Sequence, residues 1–228
     1  MKLRLAALLL ALLVPGLAAA ADLTPFKATY AIRWNGMAAG TGHVELQKLD
    51  GERWSYESRL QARGLFRLAI PSNQVQKSVF RIVGGKVIPD TFTSDENAQS
   101  LTFDWQAGRV TGTVNRKPVD LPSQPGLLDP LSVQVALMQE LLSERMPARF
   151  VLVDEDRIKD YLYGVEGSEV VDSVAGRHRA DIFSSRRPGS RKANFYWCAP
   201  ELGYLPLKVE RRNGRDVELS MTLTALER

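Results

Sequence analysis

Apolar and polar residues alternate along most of the chain from residue 26 onward, and this period of two is typical of strands in an antiparallel sheet. The first run places five apolar residues on one face: Phe26, Ala28, Tyr30, Ile32 and Trp34. Asn35-Gly36 follows this run and predicts a two-residue hairpin turn. Similar runs continue to residue 114 and resume at residue 149, so the pattern predicts a meander of adjacent strands.

Turn residues divide the rest of this pattern into short strands. After three N-terminal strands, we expect strands near 76–83, 86–92, 98–105, 109–114, 149–153, 158–165, 168–174, 178–184, 193–198, 205–212 and 216–226. Leu65–Ile70 is compatible with a short helix or a bulged strand. Pro118, Pro122 and Pro125 predict an irregular connector, because no central strand tolerates proline.

One segment has the pattern of a helix. Asp129 is a good N-cap and Pro130 suits the first helical position, while Leu131–Arg145 contains neither glycine nor proline. Apolar residues recur there at helical spacing: Leu131, Val135, Met138 and Leu142. We expect this helix to cover an open end or face of the sheet with its single apolar stripe.

These elements predict a mainly β protein: a strongly curved antiparallel sheet, or a barrel-like meander, with one amphipathic helix. Curvature is expected because many short antiparallel strands have to protect their edges. We find no internal repeat and no long linker, so residues 21–228 are expected to form a single β-rich domain. The pattern leaves open whether the sheet encloses packed side chains or a cavity.

Residues 1–20 have the pattern of a secretory signal peptide. Lys2 and Arg4 give a basic start, Leu5–Val14 is apolar and uncharged, and Ala18–Ala20 supplies small residues for cleavage. The apolar run is too short to remain as a membrane helix, so we expect cleavage after Ala20 or Ala21 and a periplasmic location. We expect no transmembrane segment in the remaining chain. Without the leader, the formal net charge falls from +4 to +2, which argues against a nucleic-acid partner.

Seven segments of this chain occur in an order that is familiar from one family: Tyr30–Gly36, Leu101–Gly108, Asp129–Ser132, Gly164–Val170, Tyr196-Trp197, Leu205–Val209 and the closing strand. Together with the leader, they resemble the DUF3108 family of exported bacterial proteins of unknown function. The resemblance covers most of the chain after the leader. It implies a periplasmic, mostly antiparallel β protein, and it supplies neither catalytic residues nor a ligand.

The sequence contains few residues that point to catalysis. It has two histidines, His43 and His178, and one cysteine, Cys198, so a three-histidine metal site and a cysteine-based cluster are excluded. Gly36, Gly40 and Gly42 lie between two strands, and we interpret them as a bulged hairpin rather than a phosphate loop. We therefore predict no catalytic residue, metal site or cofactor, although a hydrolase with dispersed carboxylates remains an alternative.

Two groups of residues are candidates for binding. Eight aromatic residues share the parity assigned to the inner face and could line a pocket for an apolar chain: Tyr30, Trp34, Trp54, Tyr56, Phe103, Trp105, Phe195 and Trp197. The alternative is that they form an ordinary core. Four basic residues surround a loop and could bind an anionic headgroup: Arg186, Arg187, Arg191 and Lys192. The alternative is a solvated loop.

Besides the hydrolase, two non-catalytic classes of function remain. The first is a non-catalytic periplasmic protein that binds a hydrophobic or amphipathic envelope ligand, such as a lipid. The second is an envelope scaffold that contacts another protein through an exposed sheet edge or through the helix at 130–145.

Overall fold

The computed structural model describes residues 23–64, 66–69 and 73–228 of the chain. The predicted leader and its cleavage site lie outside the described residues. Within them, strands form one sheet: β1 (Phe26–Trp34), β2 (Met37–Lys48), β3 (Arg53–Ala62), β4 (Gln74–Val83), β5 (Lys86–Ser94), β6 (Gln99–Asp104), β7 (Arg109–Val114), β8 (Lys117–Pro122), β9 (Leu127–Leu128), β10 (Arg149–Asp154), β11 (Arg157–Ser173), β12 (Gly176–Arg186), β13 (Lys192–Ala199), β14 (Leu205–Asn213) and β15 (Asp216–Glu227). Two α-helices, α1 (Phe66–Ala69) and α2 (Ser132–Leu142), and a 3₁₀ turn, Pro200–Leu202, complete the described elements.

The strands follow the order β8-β7-β6-β5-β4-β3-β2-β1-β15-β14-β13-β12-β11-β10-β9 across the sheet. Every neighbouring pair is antiparallel except β9 with β10, which is parallel. The two edges, β8 and β9, are consecutive in the chain but do not pair with each other. The predicted fold class is therefore confirmed, and the sheet is curved without being closed.

The structure corrects the prediction of an irregular connector after residue 117. Lys117–Pro122 forms strand β8, in which Pro118 lies opposite Thr113 and Pro122 lies opposite Arg109. Proline is tolerated here because β8 is an edge strand, and one side of an edge strand needs no backbone donor. The sequence rule that excluded a central strand was sound, but it did not exclude an edge strand.

A second correction concerns β11, which was predicted as two strands near 158–165 and 168–174. It is one strand of 17 residues that continues through a bulge between Val165 and Gly167. Gly167 has φ 134°, a backbone conformation that favours glycine. Gly167, which lies between the two predicted strands, is therefore the residue that allows one long strand to bend.

Helix α2 begins at Ser132, two residues after the predicted first helical position at Pro130, and Asp129 holds the turn that leads into it. Asp129 Oδ1 accepts hydrogen bonds from the backbone N–H groups of Leu131 and Ser132, and Ser132 Oγ accepts one from the Asp129 N–H. These reciprocal bonds cap the first turn. The regular helix ends at Leu142, earlier than the predicted Arg145, and Glu144 follows it with a positive φ.

The prediction of a single apolar stripe on α2 was too narrow. Ala136, Leu137, Gln139 and Leu141 are buried as well, while Leu142 is only partly buried. The curved sheet surrounds more than one side of the helix, and α2 packs chiefly against β4 and β5. The helix is thus part of the core, which leaves little of its surface for a partner.

Two hydrophobic clusters make up the described core. The larger one extends across the sheet and contains Phe80, Phe92, Leu101, Val135 and Leu207, all essentially inaccessible to solvent. The smaller one joins Leu137 and Leu141 of α2 to Phe183 and Cys198 of the sheet. This smaller cluster also lies beneath a cleft in the surface, because Leu141 and Phe183 line that cleft.

Candidate functional site

A surface cleft of about 490 Å³ lies between the C-terminal end of α2 and the hairpin of β11 and β12. Its volume is within the range of about 300–1,000 Å³ that is common for small-molecule sites. The lining residues come from the end of the helix, from the bulged part of β11, from β12 and from the turn before β14: Leu141, Glu144, Arg145, Met146, Val165, Gly167, Ser168, Arg179, Asp181, Phe183 and Tyr204.

The floor of the cleft is apolar. Leu141 and Phe183 are buried members of the smaller core cluster, and Tyr204 packs edge-on against Phe183 with ring centroids 6.5 Å apart. Burial raises the pKa of the Tyr204 hydroxyl, so this side chain stays neutral. Met146 and Val165 extend the apolar surface to the rim, where 37% and 62% of their surface is exposed.

The rest of the rim is charged, with both signs present. Arg145 donates to Glu140 over 2.6 Å, and Arg179 lies 3.6 Å from Asp181. The bond to Glu140 raises the pKa of the Arg145 guanidinium, which remains charged. Both arginine side chains are more than half exposed, so they remain available to a polar headgroup. The cleft therefore combines an apolar floor with exposed guanidinium groups.

The structure does not gather the eight predicted aromatic residues into this cleft. Five of them are buried in the larger core cluster: Tyr30, Trp54, Tyr56, Phe103 and Trp197. The other three, Trp34, Trp105 and Phe195, are partly buried. Several have partners typical of a packed interior, since the Tyr30 hydroxyl donates to the Pro206 carbonyl and Trp105 Nε1 donates to the Pro89 carbonyl.

Phe195 and Trp197 of β13 belong with the larger core cluster, since Trp197 is a buried member of it and Phe195 packs against it. Tyr196, between them in the chain, packs against the smaller cluster. The Arg212 guanidinium lies 4.3 Å from the Phe195 ring centroid, and Lys208 Nζ lies 4.3 Å from that of Trp197. These aromatic rings therefore support charged side chains through cation–π contacts.

The four predicted anion-binding residues lie at the turn between β12 and β13, away from the residues that line the cleft. Arg186, Arg187 and Arg191 are exposed, and in the described part of the chain no carboxylate lies within ion-pair distance of them. Lys192 differs, because its Nζ lies 3.3 Å from Glu218 Oε2. The Arg191 carbonyl accepts a bond from the Gly214 N–H, which brings this turn beside the turn that carries Arg215.

Other side chains that could react or bind a metal ion are buried or are already bonded to neighbouring residues. Cys198 is fully buried, and burial raises the pKa of its thiol, so the thiolate is strongly disfavoured. His178 contacts Glu201 through Nδ1 and the Ala175 carbonyl through Nε2. Asp154 accepts bonds from Lys159 and Tyr161. Across residues 23–64, 66–69 and 73–228, no group of three or more His, Cys, Asp or Glu side chains is arranged to hold a metal ion.

Comparison with known protein families shows which family the chain belongs to. Residues 29–222 match the family described as a protein of unknown function, DUF3108. The chain belongs to this family. The DUF3108 match extends from β1 into β15 and so includes the elements that form the cleft. No curated protein is detectably similar to the chain.

Solved structures resemble the DUF3108 fold described above. A β-barrel-like protein of the domain of unknown function DUF1849, from Brucella abortus, matches with a TM-score of 0.59 at 12% identity, covering 91% of this chain and 98% of that protein. A protein with a YmcC-like fold from Bacteroides fragilis matches with a TM-score of 0.39 at 9% identity, covering 89% of this chain and 95% of that one. The first likeness supports a barrel-like fold and nothing about activity. None of the helices in the described ranges has the length and apolar character to cross a bilayer.

Proposed function

We propose that this DUF3108 protein is an exported, non-catalytic protein of the periplasm that binds an amphipathic ligand in the cleft between α2 and the β11–β12 hairpin. The ligand class is an apolar chain with a polar headgroup, as in a lipid. The observation that carries the proposal is the cleft itself, where buried Leu141 and Phe183 lie below the exposed guanidinium groups of Arg145 and Arg179.

The side chains packed inside the curved sheet support a ligand site at the surface rather than in the interior. Helix α2 and five of the eight aromatic residues occupy its packed core. A ligand placed among them would have to displace side chains that already make close contacts. The cleft needs no such rearrangement, because Met146 and Val165 are exposed and the floor below them is already formed.

The charges at the rim favour an amphipathic ligand over a purely apolar one. Arg145 and Arg179 each contact one carboxylate and are still more than half exposed, so each keeps donors for a phosphate or carboxylate headgroup. Met146 and Val165 would contact the start of the apolar chain. Periplasmic location is part of the proposal and rests on the leader pattern of residues 1–20.

Native mass spectrometry of the protein purified from its own periplasm tests both parts of the proposal. We expect a mature N-terminus at Ala21 or Asp22 and a co-purified lipid mass. The delipidated protein should then bind lysophosphatidylglycerol, measured by titration calorimetry. Met146→Lys and Val165→Lys place a charge where the apolar chain would lie, so each should weaken binding by about tenfold, as expected for about 1.4 kcal/mol of lost apolar contact.

Met37→Lys is the matched control. Met37 is 60% exposed in the β1–β2 hairpin and does not line the cleft, so its replacement should leave the affinity for lysophosphatidylglycerol unchanged. A lipid-free protein that does not bind the probe would refute the proposal. Equal loss of binding in the Met37 variant would also refute the assignment to this cleft.

A further inference from the structure

Strand β11 has a long edge that no other described strand covers. On one side it pairs with β12 along Leu162–Ser173, but on the other side β10 pairs only with Arg157–Leu162. The Tyr163 N–H still bonds to the Ala148 carbonyl. From Gly164 to Ser173, the described part of the chain provides a neighbouring strand on one side only. We call Gly164–Ser173 the open edge.

The open edge is accessible from both faces as well as from the side. Residues 165–170 are all exposed, which is unusual for a strand that is not at the edge of the sheet order. Val165 and Val170 leave 62% and 55% of their surface exposed, and Val174 at the end of the hairpin leaves 60% exposed. Exposed apolar side chains beside unpaired backbone groups are the features that another strand recognises.

The other two sheet edges are protected in ways that the open edge is not. Strand β8 carries Pro118 and Pro122, and β9 is only two residues long. Both devices prevent a further strand from adding. The open edge contains neither proline nor lysine, and its only charged residues are Glu166, Glu169 and Asp172.

These three carboxylates decide which partner fits. If two copies paired by antiparallel strands about the middle of Val165–Ser173, Glu169 would face Glu169 and Glu166 would face Asp172. Like charges directly opposite each other destabilise a strand pair, so a second copy paired in this register is disfavoured. A strand that carries basic residues would instead form an opposite-charge pair with Glu169, whereas Asp172 already has Arg177 3.9 Å away.

We propose that the open edge docks an extended polypeptide segment in which apolar and basic residues alternate, and that this segment adds to the sheet as a strand beside β11. Val170 and Glu169 point to opposite faces of β11. An alternating partner therefore places its apolar side chains beside Val170 and its basic side chains beside Glu169. The backbone groups of Gly164–Ser173 supply the hydrogen bonds, which a lipid could not use in this way. Val165, Gly167 and Ser168 of the open edge also line the cleft, but this proposal rests on the unpaired backbone of β11 and needs no ligand in the cleft.

A fluorescein-labelled peptide of eight alternating lysine and valine residues is a suitable probe. We expect saturable binding by fluorescence anisotropy, weakened by added salt, and slower amide hydrogen exchange in Gly164–Ser173 when the peptide is bound. Glu169→Lys should weaken binding by about fivefold or more, the scale of one exposed ion pair. Val170→Lys, also at an exposed position, should weaken it through lost apolar contact and added like charge.

Glu52→Lys is the matched control, because Glu52 is exposed in the turn before β3 and its substitution changes the net charge by the same amount. It should leave peptide affinity unchanged. The proposal is overturned if the peptide does not bind, if the Glu52 variant loses as much affinity as the Glu169 variant, or if exchange slows outside the open edge instead. Concentration-dependent dimerisation that protects the same amides would also overturn it, since the occupant would then be a second copy. Glu169 does not line the cleft, so lysophosphatidylglycerol binding should be equal in all these variants and failure of one proposal is distinguishable from failure of the other.

Discussion

Replacing Asp129 by alanine should destabilise the protein strongly, because this one carboxylate joins helix α2 to the sheet. Its Oδ1 accepts hydrogen bonds of 2.9 Å from both the Leu131 and Ser132 N–H groups, and its Oδ2 accepts one of 2.6 Å from Ser78 Oγ on β4. Asp129, Ser78 and Ser132 are completely buried. Water cannot replace the lost acceptor without entering the core.

The expected magnitude follows from these bonds. Loss of the helix cap costs about 1 kcal/mol, and a buried Ser78 hydroxyl without its acceptor costs about 1–3 kcal/mol more. Asp129→Ala should therefore lower the free energy of unfolding by about 2–4 kcal/mol. At about 3 °C per kcal/mol for a chain of this size, the Tm should fall by about 6–12 °C.

Asp129→Asn is the informative comparison. Asparagine caps helices as well as aspartate does, and the Ser78 hydroxyl can rotate to accept from its amide, so we expect a loss of about 1 kcal/mol or less. Burial raises the pKa of Asp129, so the folded protein holds its proton more tightly than the unfolded chain does. Wild-type stability should therefore fall as the pH rises from 3.8 through the raised pKa, and this contribution should be absent in the Asn variant.

Urea unfolding followed by far-ultraviolet circular dichroism measures these differences. The double variant Ser78→Ala/Asp129→Ala should lose less than the sum of the single variants, because removing both partners leaves no unsatisfied hydroxyl. An Asp129→Ala protein within about 0.5 kcal/mol of wild type would show that the cap and the contact with Ser78 do not hold α2 in place.

Three further predictions concern other parts of the molecule. Hydrogen bonds from His178 to the Ala175 carbonyl and to Glu201 raise the pKa of the imidazole. The stabilisation that protonated His178 provides is therefore fully present below the ordinary pKa of 6.5 and is lost as the pH rises through the raised pKa. His178→Ala should abolish this part of the pH dependence of thermal unfolding, and an unchanged profile would contradict the assignment. The buried Cys198 thiol should react with a thiol reagent in the native protein much more slowly than after unfolding in urea, whereas rapid labelling of the native protein would contradict its burial. If the turn between β12 and β13 binds anionic headgroups, replacing Arg186, Arg187, Arg191 and Lys192 together by serine should abolish salt-sensitive sedimentation with phosphatidylglycerol vesicles. Among single substitutions, those of the three arginines should have the largest effects, because Lys192 is already paired with Glu218. Vesicle binding that survives all four substitutions would exclude this turn as the binding site.

The strand pattern of this fold is predictable from sequence because most strands have one buried face. In β1, buried Phe26, Ala28, Tyr30 and Ile32 alternate with more exposed residues, and Asn35-Gly36 makes the expected turn. The start of α2 is equally local, since Asp129 and Ser132 bond within one turn of chain. Such features depend on neighbours in sequence, and this is why alternation and capping residues identify them.

The errors arise where the sequence supports two answers. In β13, Phe195 and Trp197 alternate with Tyr196 and Cys198, so both faces are apolar and the alternation cannot show which residues join which core cluster. Pro118 excludes a central strand but permits an edge strand, and only the sheet order decides between them.

The cleft could not be predicted from the sequence, because its residues are distant in the chain. Met146, Val165, Phe183 and Tyr204 meet only because β11 passes the end of α2 and bends at Gly167. A local signal does exist in retrospect: Val165 and Val170 are apolar residues in a stretch otherwise rich in glycine and acidic residues. That combination indicates an exposed strand with sites for contact.

The pairing of β1 with β15 has a consequence for how the protein is made. Lys27 lies opposite Glu227, so the earliest strand of the sheet pairs with the latest one to be synthesised. Until β15 emerges, β1 has a neighbour only in β2, and its buried residues remain open to other chains. Contacts between such distant residues also slow folding. A newly synthesised molecule therefore passes through a stage in which β1 is not yet joined to β15 and aggregation is the main hazard, so holding chaperones should benefit the protein at that stage.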